Sequence, residues 1–208
     1  MALSDAQIDR FSRQIVLPQI GGRGQERLLA SSVAVAGHGA LAEIVALSLA
    51  GAGIGRIALL GAGHETLRAD LLDLNPDVRV SDLDSVEVDI LVACDVTLTE
   101  LERAASSGRP LVAGGIDDEG GWLVVGESSG VCASCAGRAA TARRGTACRA
   151  PTVPAVGIVG SLMSIAILKQ RLGLGEAARP IWLRFDARRS MLSQHPIEPV
   201  PDCPVCTG

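Results

Sequence analysis

Four of the six cysteines in this sequence form two pairs with the same spacing. Cys132 and Cys135 make one Cys-x-x-Cys pair, and Cys203 and Cys206 make the other near the end of the chain. Two such pairs offer four thiolates on two tight turns, which is the ligand set of a tetrahedral zinc site. Because four sulfurs leave no open position for catalysis, we expect structural zinc that ties the end of the chain to its middle.

Two other interpretations of these cysteine pairs remain open on sequence. The four thiols could form two disulfides, although disulfides are rare in a reducing compartment. A Cys-x-x-Cys pair can also be a redox centre, which normally lies just after a strand at the start of a helix. Structural zinc is the interpretation that we favour.

A glycine-rich turn is the second feature that could carry chemistry. Gly37 and Gly39 are followed by Ala40 and Ala42, directly after an apolar run. In nucleotide-binding folds, this turn joins a strand to a helix and lets the backbone approach a phosphate. An Asp or Glu usually follows about 20 residues later and binds the ribose, but this chain has Gly61 there. The turn alone is too weak a signal for an NAD-dependent oxidoreductase.

Two single residues are also notable. Asp95 closes an apolar run, where it could simply cap the helix predicted to follow, although Thr97 already fits that role. Cys148 lies between Arg144 and Arg149 in a polar stretch, and nearby cations favour the nucleophilic thiolate. It can equally be an incidental loop cysteine.

The composition limits the classes of function. The chain has 208 residues, 48% of them apolar and 2% aromatic, and a net charge of −4. This suits one domain and lacks the basic surface that nucleic-acid binding needs. The charged N-terminus does not resemble a signal peptide, so we expect a cytoplasmic protein. The apolar stretch 153–168 is shorter than the roughly 20 residues that cross a bilayer, which predicts a buried helix and no membrane segment.

The predicted strands and helices must position these residues. The continuous apolar strands indicate a parallel sheet that is covered on both faces, and the signals change after residue 115. Helices are predicted near 5–14, 24–31, 40–51, 66–74, 98–107 and 153–171, and strands near 33–37, 56–61, 78–83, 88–94 and 110–115. An antiparallel strand, cysteine-rich loops and two edge strands within 180–197 are expected in the rest.

The predicted fold class is therefore α/β. We expect a Rossmann-like, mostly parallel sheet with helices on both faces, C-terminal antiparallel strands and a four-cysteine zinc site. Residues 1–208 form one predicted domain, with N-terminal helices in 1–32, a nucleotide-binding-type half in 33–115 and an antiparallel half with a zinc-tied tail in 116–208.

Several ordered segments resemble the ThiF/MoeB/HesA family, the bacterial relatives of ubiquitin-activating enzymes. The opening "RFSRQIVLPQIGGRGQERLLASSVAVAGHGAL" resembles the family from its Arg-aromatic-x-Arg-Gln signature into the first strand. The segments "AGAGIGRIALL", "LNPDVRV" and "ILVACD" are similar to its next three strands, and "VGIVGSLMSIAILK" and "DCPVCTG" to its late helix and second cysteine pair. The resemblance covers nearly the whole chain.

The resemblance implies a reaction and its partners. In this family, ATP lies over the glycine turn, and a ubiquitin-like sulfur carrier or a peptide offers its C-terminal carboxylate. The carboxylate attacks the α-phosphate, which releases pyrophosphate and leaves an acyl-adenylate. Such chemistry needs a close backbone approach to phosphate, a metal ion and cations.

The resemblance also implies roles for particular positions. Gly37, Gly39 and Ala42 match the nucleotide turn, and Ala40 stands where the family has an additional glycine. Three further matches are Asp95 as the Mg²⁺ ligand, Arg13 as an arginine that reaches into a partner protomer's ATP site, and Cys148 as a cysteine that bonds to the carrier in some members.

Departures from the family pattern predict a degenerate ATP site. The acid after the second strand is missing, and Arg68 is the sole cation in a shortened segment that holds an Asn, an Arg and a Lys in the family. We therefore expect weak or absent adenylation and a carrier- or peptide-recognising protein. It would act as a homodimer or as the non-catalytic partner of an active paralogue. The alternative is an active adenylyltransferase.

Overall fold

The computed structural model describes residues 3–60, 64–82, 87–126, 131–143, 153–174, 181–201 and 203. The helices are α1 (Asp5–Ile15), α2 (Gly21–Ala30), α3 (Ala40–Ala52), α4 (Glu65–Leu74), α5 (Leu98–Ala105), α6 (Ala133–Arg143) and α7 (Val153–Leu172). The strands are β1 (Ser32–Ala36), β2 (Arg56–Leu60), β3 (Arg79–Asp82), β4 (Ile90–Cys94), β5 (Leu111–Asp117), β6 (Gly120–Gly126), β7 (Ile181–Asp186) and β8 (Met191–Pro196).

The strands form one mixed sheet in the order β3-β2-β1-β4-β5-β6-β7-β8. Strands β1 to β5 pair in parallel, and β5 to β8 pair antiparallel. The predicted α/β class and the change from a parallel to an antiparallel half are confirmed. The chain reverses its direction of strand addition between β1 and β4, which creates a switch point at the carboxyl ends of these strands.

Two apolar clusters cover the two faces of the sheet. One cluster combines the strands with α2, α3, α4 and α7. The other combines them with α5, α6 and Cys203 of the C-terminal tail. Continuous burial of β5 and β6 on both faces explains why their sequences show no alternation of polar and apolar residues.

One predicted element is wrong. The cysteine-rich segment after β6 was expected to be a loop, but its residues 133–143 form helix α6. The segment is rich in alanine, the strongest helix former. Ala133, Ala136 and Ala140 recur at helical spacing and are buried. This alanine pattern was the available signal.

Helix α7 is, in the described part of the chain, the one helix long and apolar enough to cross a membrane, by length and composition. In this fold it packs on α3, β5 and β6, and Gly160 allows the close approach of Ile44. The predicted burial therefore holds for one face of the helix. The opposite face exposes Ile158 and Ile165, which are 41% and 52% exposed, and Val153 at the start of the helix is 77% exposed.

Candidate functional site

The switch point brings two predicted site segments to one edge of the sheet. The glycine turn follows β1, and Asp95 follows β4, its neighbour in the sheet. In open α/β sheets, ligands bind in the crevice outside the carboxyl ends of the strands at this point. The parallel register therefore places the predicted nucleotide and metal residues side by side.

Gly37 and Gly39 of the turn differ in the steric constraints that act on them. Gly37 has a φ of +114°, and a Cβ there would lie 2.1 Å from the backbone oxygen of Cys94, so packing against β4 alone excludes a side chain. Gly39 has a φ of +83° and nothing within 4 Å of its Cβ position. The space above Gly39 is open, as a bound phosphate would require.

The N-terminus of α3 fits an anionic group. Gly39 is the N-cap and makes no side-chain capping hydrogen bond, so the first backbone N–H groups of this 13-residue helix lack an intrahelical partner. Such N–H groups and the helix dipole favour phosphate. Ala40 is exposed at the start of the helix, whereas Ala42 is buried beneath the turn.

The Asp95 side chain is held in place across the switch point. Its Oδ1 accepts a hydrogen bond of 2.8 Å from the backbone N–H of Ile116. The residue has a φ of +50°, a conformation uncommon for a residue with a side chain. Helix α5 is instead capped by Thr97, so the interpretation of Asp95 as a capping residue is wrong.

The surroundings of Asp95 disfavour the ionised form of its carboxyl group. Burial raises the pKa of Asp95, and the nearby carboxylate of Asp117 adds to this rise. The hydrogen bond from Ile116 and the positive charge of His38 act in the opposite direction. A divalent cation would therefore find a partly desolvated carboxylate with a fixed orientation.

An indole forms the adjoining wall of the site. A Cβ at Gly115 would lie 3.0 Å from both Asp95 Oδ1 and Trp122 Cζ2, so this glycine lets the two groups approach. Trp122 stacks on Trp182 with ring centroids 5.2 Å apart. Sequence reasoning missed this wall, because neither tryptophan lies in a motif.

His38 was also missed. It lies between the two glycines of the turn, is exposed, and is close enough to Asp95 to lower the pKa of that carboxyl. A histidine between the glycines was the available signal.

The segment after β2 does not place a cation at the turn. Arg68 of α4 donates a hydrogen bond of 2.8 Å from Nη1 to the Val80 carbonyl oxygen of β3. Glu65 is exposed at the start of α4. Gly61, which occupies the position of the usual ribose acid, lies outside the described residues.

Arg13 lies at the opposite end of α3 from the glycine turn. It is exposed on α1, and its neighbour Gln14 donates to the Ala52 carbonyl oxygen at the end of α3. A helix of this length spans roughly 20 Å at 1.5 Å per residue. Arg13 is therefore too far away to act on the turn of its own chain.

Three of the four predicted zinc ligands meet. The Sγ atoms of Cys132, Cys135 and Cys203 all lie within 4.8 Å of one another and are buried. The Sγ atoms of Cys132 and Cys203 are 3.6 Å apart, close to the roughly 3.8 Å expected for sulfurs around tetrahedral zinc. The Val200 N–H also donates to Cys135 Sγ over 3.3 Å, a bond that suits a thiolate.

The two other interpretations of the cysteines can be compared with this arrangement. No disulfide joins the four described cysteines to one another. Cys132 and Cys135 do flank the start of α6, where a redox pair could lie. The third sulfur in the cluster favours a metal. Cys206 and Cys148 lie outside the described residues.

Comparison with known proteins gives related sequences along the whole chain. Residues 11–62 match the family described as "ThiF family". The chain is 30% identical to the sulfur carrier protein adenylyltransferase of Thermus thermophilus, over 99% of this chain and 93% of that protein. That alignment covers 255 positions, so the relative carries segments that this chain lacks. The molybdopterin-synthase adenylyltransferase of Escherichia coli is 28% identical over 98% of both chains.

Other relatives are larger than this chain. It is 30% identical to the adenylyltransferase and sulfurtransferase MOCS3 of Sus scrofa over 99% of its own length, but it spans about half of that protein (54%). A crystal structure of E. coli MccB with succinimide shares the fold with a TM-score of 0.72, at 18% identity, over 95% of this chain and 74% of that one. By these sequence matches, the chain belongs to the ThiF family.

Proposed function

We propose that this protein recognises the C-terminal carboxylate of a ubiquitin-like sulfur carrier or a peptide and binds Mg-ATP weakly, with slow or absent adenylation by the isolated chain. The observation that carries this proposal is that the open glycine turn and a held Asp95 lie together at the switch point, whereas Arg68, the one cation that the sequence offers between β2 and β3, donates to Val80 of β3.

The retained residues fit Mg-ATP. The backbone N–H groups at the start of α3 and the open space over Gly39 would hold phosphate, and Asp95 would hold Mg²⁺. When bound, ATP supplies the α-phosphate that a carboxylate can attack. Trp122 and the β4–β5 edge would exclude water from one side of that carboxylate.

The missing contacts explain why we expect weak binding. Arg68 is held on β3 instead of at the turn. One lost hydrogen bond to the ribose costs about 1–3 kcal/mol, and lost cations at the phosphates cost several factors of ten in rate. Asp95 and His38 can compensate for only part of this loss.

The acyl partner is inferred from the related proteins. One of them is named a sulfur carrier protein adenylyltransferase, and the fold is shared with MccB, which has been crystallised with MccA. A carboxylate at a chain terminus is the group common to these partners under the proposed chemistry.

An active adenylyltransferase is the second candidate. The Ile116 hydrogen bond favours it, because a degenerate site has no need to hold Asp95 in an uncommon backbone conformation. Cys148 would then be a candidate for covalent bonding to the carrier, which a Cys148→Ser variant tests by loss of a thiol-sensitive carrier conjugate.

Calorimetric titration of Mg-ATP into the zinc-loaded protein tests the proposal. We expect a dissociation constant between about 0.1 and 1 mM, the range in which a few kcal/mol have been lost from micromolar binding. Pyrophosphate exchange with a carrier or peptide then separates the two candidates. No heat at millimolar Mg-ATP would overturn nucleotide binding.

We further propose that the cysteine cluster holds structural zinc, with Cys206 as the fourth ligand. The three described sulfurs and the Val200 N–H suit a thiolate-bound metal, and the cluster joins α6 to the C-terminal tail. Zinc content of the purified protein should be one ion per chain.

We propose, finally, that the chain forms a homodimer through α7 or pairs in the same way with a paralogue. Ile158 and Ile165 lie on one face of α7 and are exposed in the single chain, and Arg13 is placed away from its own turn. Substitution of Ile158 and Ile165 by Glu should halve the mass seen by light scattering. Met191→Glu, on the exposed edge strand β8, should leave that mass unchanged.

A further inference from the structure

A partly buried ion pair joins β5 to β7 beside the candidate site. Both Nη atoms of Arg184 donate to the two carboxylate oxygens of Asp117, and the Nη2···Oδ1 distance is 2.9 Å. The side chains of Asp117 and Arg184 are 2% and 18% exposed. Nη2 also contacts the exposed carboxylate of Glu119 at 3.1 Å. Paired arginine and carboxylate groups of this geometry strongly restrict each other's orientation.

The same Asp117 carboxylate also fixes the turn that follows β5. Its Oδ1 accepts the backbone N–H groups of Glu119 and Gly120, each at 3.1 Å. The end of β5 is thus held from two directions, by its own turn and by β7. Both oxygens of the Asp117 carboxylate therefore accept hydrogen bonds.

This fixed strand end is what holds Asp95. The N–H that donates to Asp95 belongs to Ile116, the residue directly before Asp117. A shift at Asp117 therefore moves the donor of the Asp95 hydrogen bond. The Arg184 guanidinium also balances the Asp117 carboxylate, which would otherwise disfavour the ionised form of Asp95 more strongly.

We infer that Arg184 and Asp117 are positioning residues for Asp95: their ion pair fixes the end of β5, and Ile116 then holds the Asp95 carboxylate in the orientation that binds Mg²⁺. This inference rests on the proposed function in its Mg²⁺ step. The antiparallel half of the sheet would thus support the nucleotide site through the Arg184–Asp117 ion pair, and neither residue lies in a motif of the sequence.

The experiment compares Arg184→Met with Arg184→Lys and with Arg188→Met. Arg188 is exposed in the turn between β7 and β8, so its replacement by Met is the matched control. Two quantities are measured for each protein: the ratio of ATP affinities with and without Mg²⁺, and the rate of hydrogen exchange at the Ile116 N–H.

We expect Arg184→Met to lower the Mg²⁺-dependent gain in ATP affinity at least about fivefold and to speed Ile116 exchange by a similar factor, because the hydrogen bond to Asp95 opens more often. Arg184→Lys should keep most of both properties, since it retains the charge. Arg188→Met should match the wild type.

A lower melting temperature for Arg184→Met with unchanged Mg²⁺ dependence and unchanged Ile116 exchange would show a merely structural ion pair and would overturn the inference. Should Arg184→Met not fold, Asp117→Asn keeps the Oδ1 acceptor for the turn but loses the charged pair, and Ile116 exchange should again be faster. Since exchange requires no nucleotide, it decides the inference even where the wild type binds no ATP, a result that would overturn only the proposed function.

Discussion

The two sides of the candidate site, at the end of β1 and from β4 to β7, are built from different kinds of groups. At the end of β1, the candidate site consists of backbone: a turn with two positive φ angles and the N-terminus of α3. From the end of β4 to β7, it consists of side chains that are fixed in place: Asp95 by the backbone N–H of Ile116, and Asp117 by Arg184. The cysteine cluster lies in the second half as well.

This difference decides which residues are informative about function. Gly37 would be required by packing against Cys94 even in a protein that never binds a nucleotide. Gly39 has no neighbour that excludes a side chain, and Asp95 is held in an uncommon conformation without capping a helix. Retention of Gly37 therefore says little about ATP. The backbone conformation of Gly39 also favours glycine, but the open space beside it leaves room for a phosphate, and the held Asp95 points to a ligand.

The largest expected effect lies in the antiparallel half. Cys203→Ser should remove zinc and lower the free energy of unfolding by more than about 4 kcal/mol, a fraction of the 10–16 kcal/mol that zinc contributes in small peptides. For a chain of this size, that corresponds to a melting temperature lower by roughly 10–15 °C. Thermal unfolding and metal analysis measure both quantities.

Cys94→Ala is the control for this change. Cys94 lies in the apolar core, where burial raises the pKa of its thiol, so its replacement should cost only about 1 kcal/mol and leave the zinc content unchanged. Equal melting temperatures for Cys203→Ser and the wild type would argue against a structural metal.

Substitutions at the two glycines of the turn should distinguish a role in packing from a role in nucleotide binding. Gly37→Ala should destabilise the fold by about 3 kcal/mol or more, because its Cβ would meet the Cys94 carbonyl. Gly39→Ala should cost less, about 1–3 kcal/mol, because a φ of +83° with a ψ of −175° is essentially restricted to glycine, and it should weaken Mg-ATP binding about tenfold. Denaturant unfolding and calorimetry would be compared for both variants. Similar losses of stability would contradict the assignment of different roles.

Removal of the Asp95 charge should affect binding more than folding. Asn is among the residues that tolerate a positive φ, so Asp95→Asn keeps the backbone and the acceptor for Ile116 while it loses the Mg²⁺ ligand charge. Mg-ATP affinity should fall about tenfold, or about 1.4 kcal/mol, by calorimetry. ATP affinity in the absence of Mg²⁺ is the internal control, and an equal loss there would contradict metal binding by Asp95.

The smallest effect is a pH dependence of stability. Burial raises the pKa of Asp95 above the ordinary 3.8, so the folded protein holds this proton more tightly than the unfolded chain. At pH values below 3.8, Asp95 is protonated in both the folded and the unfolded chain and has no effect on stability. As the pH rises above 3.8, the unfolded chain ionises first, and the free energy of unfolding decreases. In magnesium-free buffer, the stability advantage of Asp95→Asn over the wild type should therefore grow from acidic to neutral pH. An advantage that is independent of pH would show that Asp95 is not desolvated.

Much of the fold was predictable from local signals. Helices α1 and α5, predicted near 5–14 and 98–107, begin with capping boxes at Ser4 and Thr97, and the predicted apolar runs form the parallel strands. Helix α6 differs from the predicted loop, although its buried alanines at helical spacing are a local signal of the same kind. These features depend on residues a few positions apart, which is the range over which periodicity and capping act.

The fold class, the glycine turn, Asp95 and the cysteine pairs can be recognised in the sequence, because each depends on residues that are close together in the chain. The distance of Arg13 from its own turn and the contact between Arg184 and Asp117 follow only from the folded structure. Asp117 and Arg184 are 67 residues apart in the chain. Their contact depends on the register of β5, β6 and β7, and register arises from packing across the whole sheet, which no local pattern in the sequence specifies.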